Sequence, residues 1–556
     1  MKLILKLRNI QFSIAGLFWL IVMSCAAKER IVIQEQQYQT PVLIGKKDNP
    51  ILRIKVTVPA GTSGNLTGLR LTLDGTTTVN DLNTVQVYYY GKDSLAGTMQ
   101  TVNKPLFGAG TPQDNRITID GSQVLNPGDH YFWVTVTLSE KADLQHLVDA
   151  QCTQLIINDE ELRPKVNGDR IRQRIGVAVR QHGQDGVHTS RIPGLATTNK
   201  GTLLAIFDAR YASARDLQGD MDIALHRSED GGKTWQPMQI ALDMGEWEGL
   251  PQKFNGVSDA CILIDKNSDA IYIAGLWMHG VLDEDGNWVE HLNEQSENWN
   301  HQWRNKGSQP GYDVKQSAQF LITKSTDDGK TWSKPVNLTK MGKDKNWWLW
   351  APAPGQGITL KDGTLVFPTQ GRDETGETFS NITYSKDGGN TWKTSKPALQ
   401  ESTTECMAVE LADGSVMLNM RANSNKGNEG AGNGRAVAVS HDLGEQWQVH
   451  STSHQALQEP VCMASIIGCN YQLDGNMKHF LFFSNPNSKT KRHRMAIKVS
   501  ADEGLNWSEY KPFLLDELNS RGYSCLTVID NETIGILYES SQADMVFQAI
   551  KIKDLL

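Results

Sequence analysis

Ser228-Glu229-Asp230-Gly231-Gly232-Lys233-Thr234-Trp235 decides the fold, because its pattern Ser-x-Asp-x-Gly-x-x-Trp returns four more times. The copies run Ser325 to Trp332, Ser385 to Trp392, Ser440 to Trp447 and Ser500 to Trp507, with starts 97, 60, 55 and 60 residues apart. Repeats at this period mean blades or solenoid units. Each octet has the parts of a turn: an Asp whose carboxylate accepts backbone N–H bonds, a Gly for a positive φ, and a Trp to anchor the turn on its neighbour. The octets are therefore structural and carry no catalytic role.

Around the octets six hairpins can be read, each an apolar run, a turn and another apolar run. Their turns are Asn199-Lys200-Gly201, Lys266-Asn267, Asp362-Gly363, Asp413-Gly414, Asp474-Gly475 and Asp530-Asn531. Five of the six are followed by an octet. An inner hairpin joined to an outer hairpin that turns at the octet is one blade of a β-propeller. The sixth hairpin runs out of chain at Leu556, and the strand near Gly176 to Val179 is free to complete its blade and close the ring. The expected fold is all-β, a six-bladed β-propeller over residues 173–556 preceded by a β-sandwich over 26–172.

The sandwich expectation rests on short strand-like runs at Ile51 to Val58, Leu69 to Leu73, Val85 to Tyr90, His130 to Leu138 and Leu155 to Ile157, punctuated by Gly and Pro and free of octets. Such a module is a spacer, or a carbohydrate binder if aromatics such as Tyr88 to Tyr90 are exposed. The stretch from Asp283 to Gln319, rich in Trp288, Trp299 and Trp303, interrupts the second blade as a candidate rim or lid.

Residues 1–25 read as an export signal. Lys2, Lys6 and Arg8 precede an apolar run from Ile10 to Met23 that is shorter than the roughly 20 residues of a spanning helix. Val22-Met23-Ser24-Cys25 is similar to a bacterial lipobox, which makes Cys25 the expected lipidation site and the lipid the only membrane contact, with a periplasmic, outer-membrane or cell-surface location; the alternative is plain cleavage near Ala27 and release as a secreted protein. The net charge of -8 argues against nucleic acid as a partner. The other six cysteines form no metal-like cluster, and neither metal nor cofactor is expected.

Hairpin geometry sorts the chemistry, since residues equidistant from a turn emerge together at the open end. Arg191 and Arg210 are symmetric about Lys200-Gly201, Glu405 and Arg421 about Asp413, and Tyr523 and Glu539 about Asn531. Asp216 and Arg492 lie in connections on the same face. Three guanidiniums, Arg191, Arg421 and Arg492, suit one carboxylate, and Glu539 can hold one of them, Arg191 first. Tyr523 beside Glu405 is a hydroxyl with a base, able to act as a nucleophile, and Asp216 is a loop acid able to protonate a leaving group.

From the Arg-Ile-Pro motif at Arg191 through the five octets to the Glu405–Arg421 and Tyr523–Glu539 spacings, the chain resembles the bacterial exo-sialidases of glycoside hydrolase family 33. The resemblance implies retaining release of terminal sialic acid from glycoproteins, glycolipids and oligosaccharides. It assigns Arg191, Arg421 and Arg492 to the substrate carboxylate, Tyr523 to the nucleophile, Glu405 to its base, Asp216 to the acid/base and Glu539 to the support of Arg191. Arg210 and Asp259 resemble further sugar contacts. Ser190 stands where the family often has an aromatic, and Arg494 lies close to Arg492 as a rival third arginine. A trans-sialidase has the same catalytic residues, and a sialoglycan-binding propeller without activity has no need of Tyr523, Glu405 and Asp216 together.

Overall fold

The computed structural model describes residues 30–92, 104–166, 169–217, 219–280, 289 and 307–556. Cys25 and the export signal lie outside these residues, as do Trp288, Trp299 and Trp303. Among the described residues no helix is long and apolar enough to cross a membrane.

Two sheets form the N-terminal sandwich. One has six strands in the order Lys165–Val166, Val32–Gln36, Asn49–Val58, Gly128–Leu138, Leu82–Gly91, Leu106–Gly110. The other has four, Glu160–Leu162, Gln151–Ile157, Gly64–Thr72 and Arg116–Leu125. Alternate residues turn inward, as a half-buried strand requires. Ile54, Val56, Leu69, Leu71, Val85, Val87, Phe132 and Val134 fill the space between the sheets. Tyr88, Tyr89 and Tyr90 are not an exposed stacking face. Tyr88 is half-buried with its hydroxyl on Asp48 at 3.0 Å, Tyr89 meets His130 Nδ1 at 2.7 Å, and Tyr90 is 7% exposed.

Six four-stranded blades follow. The innermost strands are Thr189–Thr197, Asn255–Ile264, Leu349–Pro352 with Ile358–Thr359, Thr403–Glu410, Ser465–Leu473 and Ser524–Asp530. The last blade is completed from the front of the propeller, where Gln173–Arg180 pairs antiparallel with Met545–Lys551. A strand that the sequence reading missed then extends this blade. Val42–Ile44 leaves the sandwich and pairs parallel with Gln173–Arg180, so the two domains share a sheet. Buried Asn49 pins it, accepting from Leu43 N at 2.9 Å and donating to Leu43 O at 3.0 Å.

The octets close the outer turns as their composition dictates. In the first, Ser228 Oγ donates to Asp230 at 2.8 Å and accepts from Gly232 N at 2.9 Å, while Asp230 accepts from Thr234 N at 3.0 Å. The four later octets repeat the Ser–Asp and Gly–Ser bonds. Trp235 packs edge-on against Phe547 of the last blade at 5.2 Å, which links the first blade to the sixth.

One expected register is wrong. Arg191 lies opposite Asp208, and Arg210 lies opposite Thr189, not opposite each other. The ladder is interrupted between Arg191 and Gly194, where Ile192 adopts φ 61°. An extra residue on one strand shifts everything beyond it by one position. Similar interruptions fall between Ser258 and Cys261 and between Thr403 and Cys406, with Asp259 at φ 54°. Each lies at the end of an innermost strand that faces the candidate site.

Candidate active site

Arg191, Asp216, Glu405, Arg421, Arg492, Tyr523 and Glu539 converge at one end of the propeller axis, the end opposite the octets. Innermost strands deliver three of them: Arg191 from the first blade, Glu405 from the fourth, and Tyr523 directly before the strand of the sixth. Arg421 and Glu539 come from or directly follow the second strands of the fourth and sixth blades, and Asp216 and Arg492 from loops on the same face.

Tyr523 is the centre of the cluster. It is 6% exposed, and its hydroxyl donates to Glu405 Oε1. Glu405 Oε2 accepts from Arg421 Nη1 at 2.6 Å, and the same nitrogen lies 3.2 Å from the Tyr523 hydroxyl. The guanidinium carbons of Arg191 and Arg492 sit 5.2 and 5.5 Å from the centre of the Tyr523 ring. Burial and the nearby Glu405 carboxylate push the phenol well above its usual value of 10, although Arg421 and Arg492 act the other way. The free protein therefore holds a neutral phenol beside a carboxylate.

Glu539 is buried at 1% exposure and is wholly occupied. It accepts from Arg191 Nε at 2.8 Å and Nη2 at 3.3 Å, and also from Ile192 N at 3.1 Å and Tyr523 N at 3.0 Å. Burial raises its pKa, but Arg191 and these N–H donors outweigh burial and hold it below 4.5. It thus ties the arginine of the first blade to the tyrosine of the last.

Asp216 sits on the exposed loop, its side chain 67% exposed. Its Oδ1 accepts from Arg191 Nη1 at 3.3 Å and from Arg210 Nη1. Partial desolvation by the surrounding protein acts upward on this exposed carboxyl, and Arg210 and Arg191 overcome it to hold the group below 3.8. Arg210 is itself locked by Asp208, at 2.8 and 3.2 Å, with both side chains at 0% exposure. Ser258 Oγ adds a third bond to Asp208 at 2.5 Å, and burial lifts Asp208 to about 6.

Asp259 is half-buried, and burial together with Glu405, Asp208 and Asp216 pushes its carboxyl well above 3.8. Arg492, not Arg494, is the arginine beside Tyr523. Arg492 donates to Arg521 O at 3.0 Å and Val461 O at 3.2 Å, while Arg494 is exposed.

Sequence reasoning passed over a supporting layer. Glu459 and Arg435 form a buried ion pair at 2.6 Å, both side chains at 0% exposure. Glu459 Oε1 also accepts from Ala422 N at 2.8 Å, directly after Arg421. Asp208 plays the matching part for Arg210. Nothing local marks such residues, since a buried ion pair has no period and no motif. Among the described residues no group of three or more His, Cys, Asp or Glu could hold a metal ion.

Residues 192–511 match the family described as BNR repeat-like domain, and residues 29–161 match the N-terminal domain of BNR-repeat neuraminidase. A sialidase of Bacteroides fragilis is 39% identical over 97% of this chain and 99% of its own. A sialidase of Clostridium perfringens is 28% identical over 63% of this chain and 86% of its own. Among solved structures, the Hadza microbial sialidase Hz136 superposes with TM-score 0.83 at 34% identity, covering 94% of this chain and all of that one. Octets, two-domain order and whole-length likeness agree, and the chain belongs to the sialidase family of glycoside hydrolases.

Proposed function

We propose that this chain is a retaining exo-sialidase that releases terminal sialic acid from sialylated glycans through a covalent intermediate on Tyr523. The observation that carries the reading is the contact of the Tyr523 hydroxyl with Glu405 between three guanidiniums. In this reading Arg191, Arg421 and Arg492 grip the carboxylate on the anomeric carbon, and the permanent charge and planar fork of arginine suit that task. Asp259 contacts the sugar ring, while Arg210, its side chain at 0% exposure, supports Asp216 from beneath.

A carboxylate nucleophile would approach that anomeric carbon against like charge. A neutral phenol avoids the repulsion, and sialidases are the known tyrosine exceptions to the two-carboxylate scheme. Tyr523 Oη forms a bond to the anomeric carbon as its proton passes to Glu405. The glycosidic C–O bond breaks as the leaving oxygen takes a proton from Asp216. In the second step Asp216 accepts a proton from water, the water oxygen bonds to the anomeric carbon, and Tyr523 leaves with the proton from Glu405. Two inversions give net retention.

Asp216 must be protonated to act first. In the free protein Arg210 and Arg191 keep it ionised. The substrate carboxylate engages Arg191 and offsets part of that positive charge, which raises Asp216 toward the working range.

A sialosyl donor with fluorine at carbon 3 slows breakdown of the intermediate and is the direct test. A peptide-mapped adduct on Tyr523, with α-sialic acid as the first product of normal turnover by NMR, is expected. An adduct on another residue, or β-product first, overturns the mechanism. Export and lipid attachment at Cys25 belong to the same proposal, on the strength of the basic start and the apolar run. Mass spectrometry of the mature N-terminus is expected to find a diacylglyceryl group on Cys25.

A further inference from the structure

Arg191 stands on a strand that its own ladder holds poorly. The pairing with Leu203–Arg210 is broken between Arg191 and Gly194, and Ile192 is left-handed, a conformation that disfavours a β-branched residue. Among the described residues the other edge of this strand, which faces the axis, pairs with no strand. Two carboxylates of the last blade serve that edge instead: Ile192 N donates to Glu539 at 3.1 Å and Ser190 N donates to Asp544 at 3.0 Å.

A third restraint comes from Arg180, the last residue of the strand Gln173–Arg180 that closes the ring. Arg180 is fully buried. Its Nε donates to Ser190 Oγ at 3.1 Å, its Nη2 to Gln184 O at 2.6 Å, and its Nη1 to Asp185. The guanidinium lies 5.4 Å from the ring centre of buried Phe207. Every arm of a buried charge is thus engaged, and one arm reaches the residue next to Arg191.

We propose that Arg180 is a positioning residue for Arg191, acting through Ser190. Side chains alternate across a strand, so Ser190 and Arg191 point to opposite sides of it. A bond fixed to Ser190 Oγ resists rotation of the strand about its own axis, the motion that would swing the Arg191 guanidinium away from the substrate carboxylate. Glu539 fixes the guanidinium at its tip; Arg180 and Asp544 fix the backbone from which it springs. Ser190 is therefore part of the binding apparatus although it touches no substrate.

The inference rests on the carboxylate role proposed for Arg191, and the test separates the two. Ser190→Ala removes one acceptor and leaves Arg180 its bonds to Asp185 and Gln184, so the fold is retained. The full mature chain carrying this change is expected to bind an unsaturated sialic acid analogue about fivefold more weakly, the size of one lost hydrogen bond. The KM for 3'-sialyllactose rises in parallel, kcat stays within about twofold, and the melting temperature falls by only a few degrees, the cost of one unpaired buried donor. Ser190→Thr restores the affinity, because the hydroxyl returns. Arg180→Lys, which keeps the charge but loses the fork, weakens binding as Ser190→Ala does. Wild-type analogue affinity in both Ser190→Ala and Arg180→Lys overturns the proposal, as does a fall in kcat with affinity intact. Arg191→Ala is the control: it is expected to lose analogue binding, and normal binding there removes the carboxylate role itself.

Discussion

The hydroxyl of Tyr523 donates to one oxygen of Glu405 while Arg421 occupies the other at 2.6 Å and stands 3.2 Å from that same hydroxyl. Glu405 is thereby oriented toward the phenol, and Arg421 is placed to stabilise the phenolate as its proton departs.

Tyr523→Phe removes the hydroxyl and leaves every arginine in place. Turnover of an aryl sialoside is expected to fall by about a thousandfold or more, with affinity for the unsaturated analogue changed less than about threefold. Steady-state kinetics beside calorimetry check both halves. Near-normal turnover removes the nucleophile assignment.

Asp216→Asn separates acid catalysis from binding. Loss of kcat on 3'-sialyllactose, whose leaving alcohol needs a proton, is expected to be about a hundredfold or more, and loss on a nitrophenyl sialoside much smaller for the first step. Equal losses on the two substrates contradict the acid role.

Glu539 has a folded pKa below its unfolded value near 4.5, held down by Arg191 and two backbone N–H groups against burial. A depressed acid contributes stability that is present above the unfolded pKa and is lost as pH falls through the folded one. Glu539→Gln is expected to lower the melting temperature most near neutral pH, and the gap from wild type should narrow below about pH 4.5. Thermal melts across this range decide it; a constant gap removes the charge from the explanation.

Gly232 holds φ 88°, and a Cβ there would lie 2.0 Å from Phe547 of the last blade. Gly232→Ala therefore combines backbone strain with overpacking at the junction of the first and sixth blades. A loss of about 2–4 kcal/mol in unfolding free energy is expected, with the octet's hydrogen bonds unable to compensate. A chemical denaturation series measures it.

The repeat made the propeller legible because each octet marks one outer turn, and the six inner turns carry strong Gly, Asp and Asn signals. Tyr523 and Glu539 were placed together by simple counting, since the ladder keeps one register from Ser524–Tyr538 to Val528–Ile534 and its irregularity falls at the turn, between Val528 and Asp530. Counting failed for Arg191 and Arg210 by two positions: the hairpin is centred on Lys200 and not between Lys200 and Gly201, and the irregular backbone at Ile192 adds a second shift with no composition signal, since an isoleucine is among the least expected residues at positive φ. Val42–Ile44 was illegible for another reason. Three apolar residues carry no period, and their partner strand lies more than 130 residues away. Asp208, Glu459 and Arg435 escaped because they stabilise the site from below, by charge pairing that only the assembled blades create.

Closure of the ring by its own first strand makes the pocket indivisible in time as well as space. Gln173–Arg180 waits for Met545–Lys551, and Arg191 waits 348 residues for its counter-ion on Glu539. Contacts of such long sequence separation form late. A chain cut short before residue 523 lacks Tyr523, the partner of Arg191 and the closing blade, so on the proposed mechanism a truncated product is inert and does not act as a weakened enzyme. Completeness of the polypeptide is thus tested by the same residues to which the reaction is assigned.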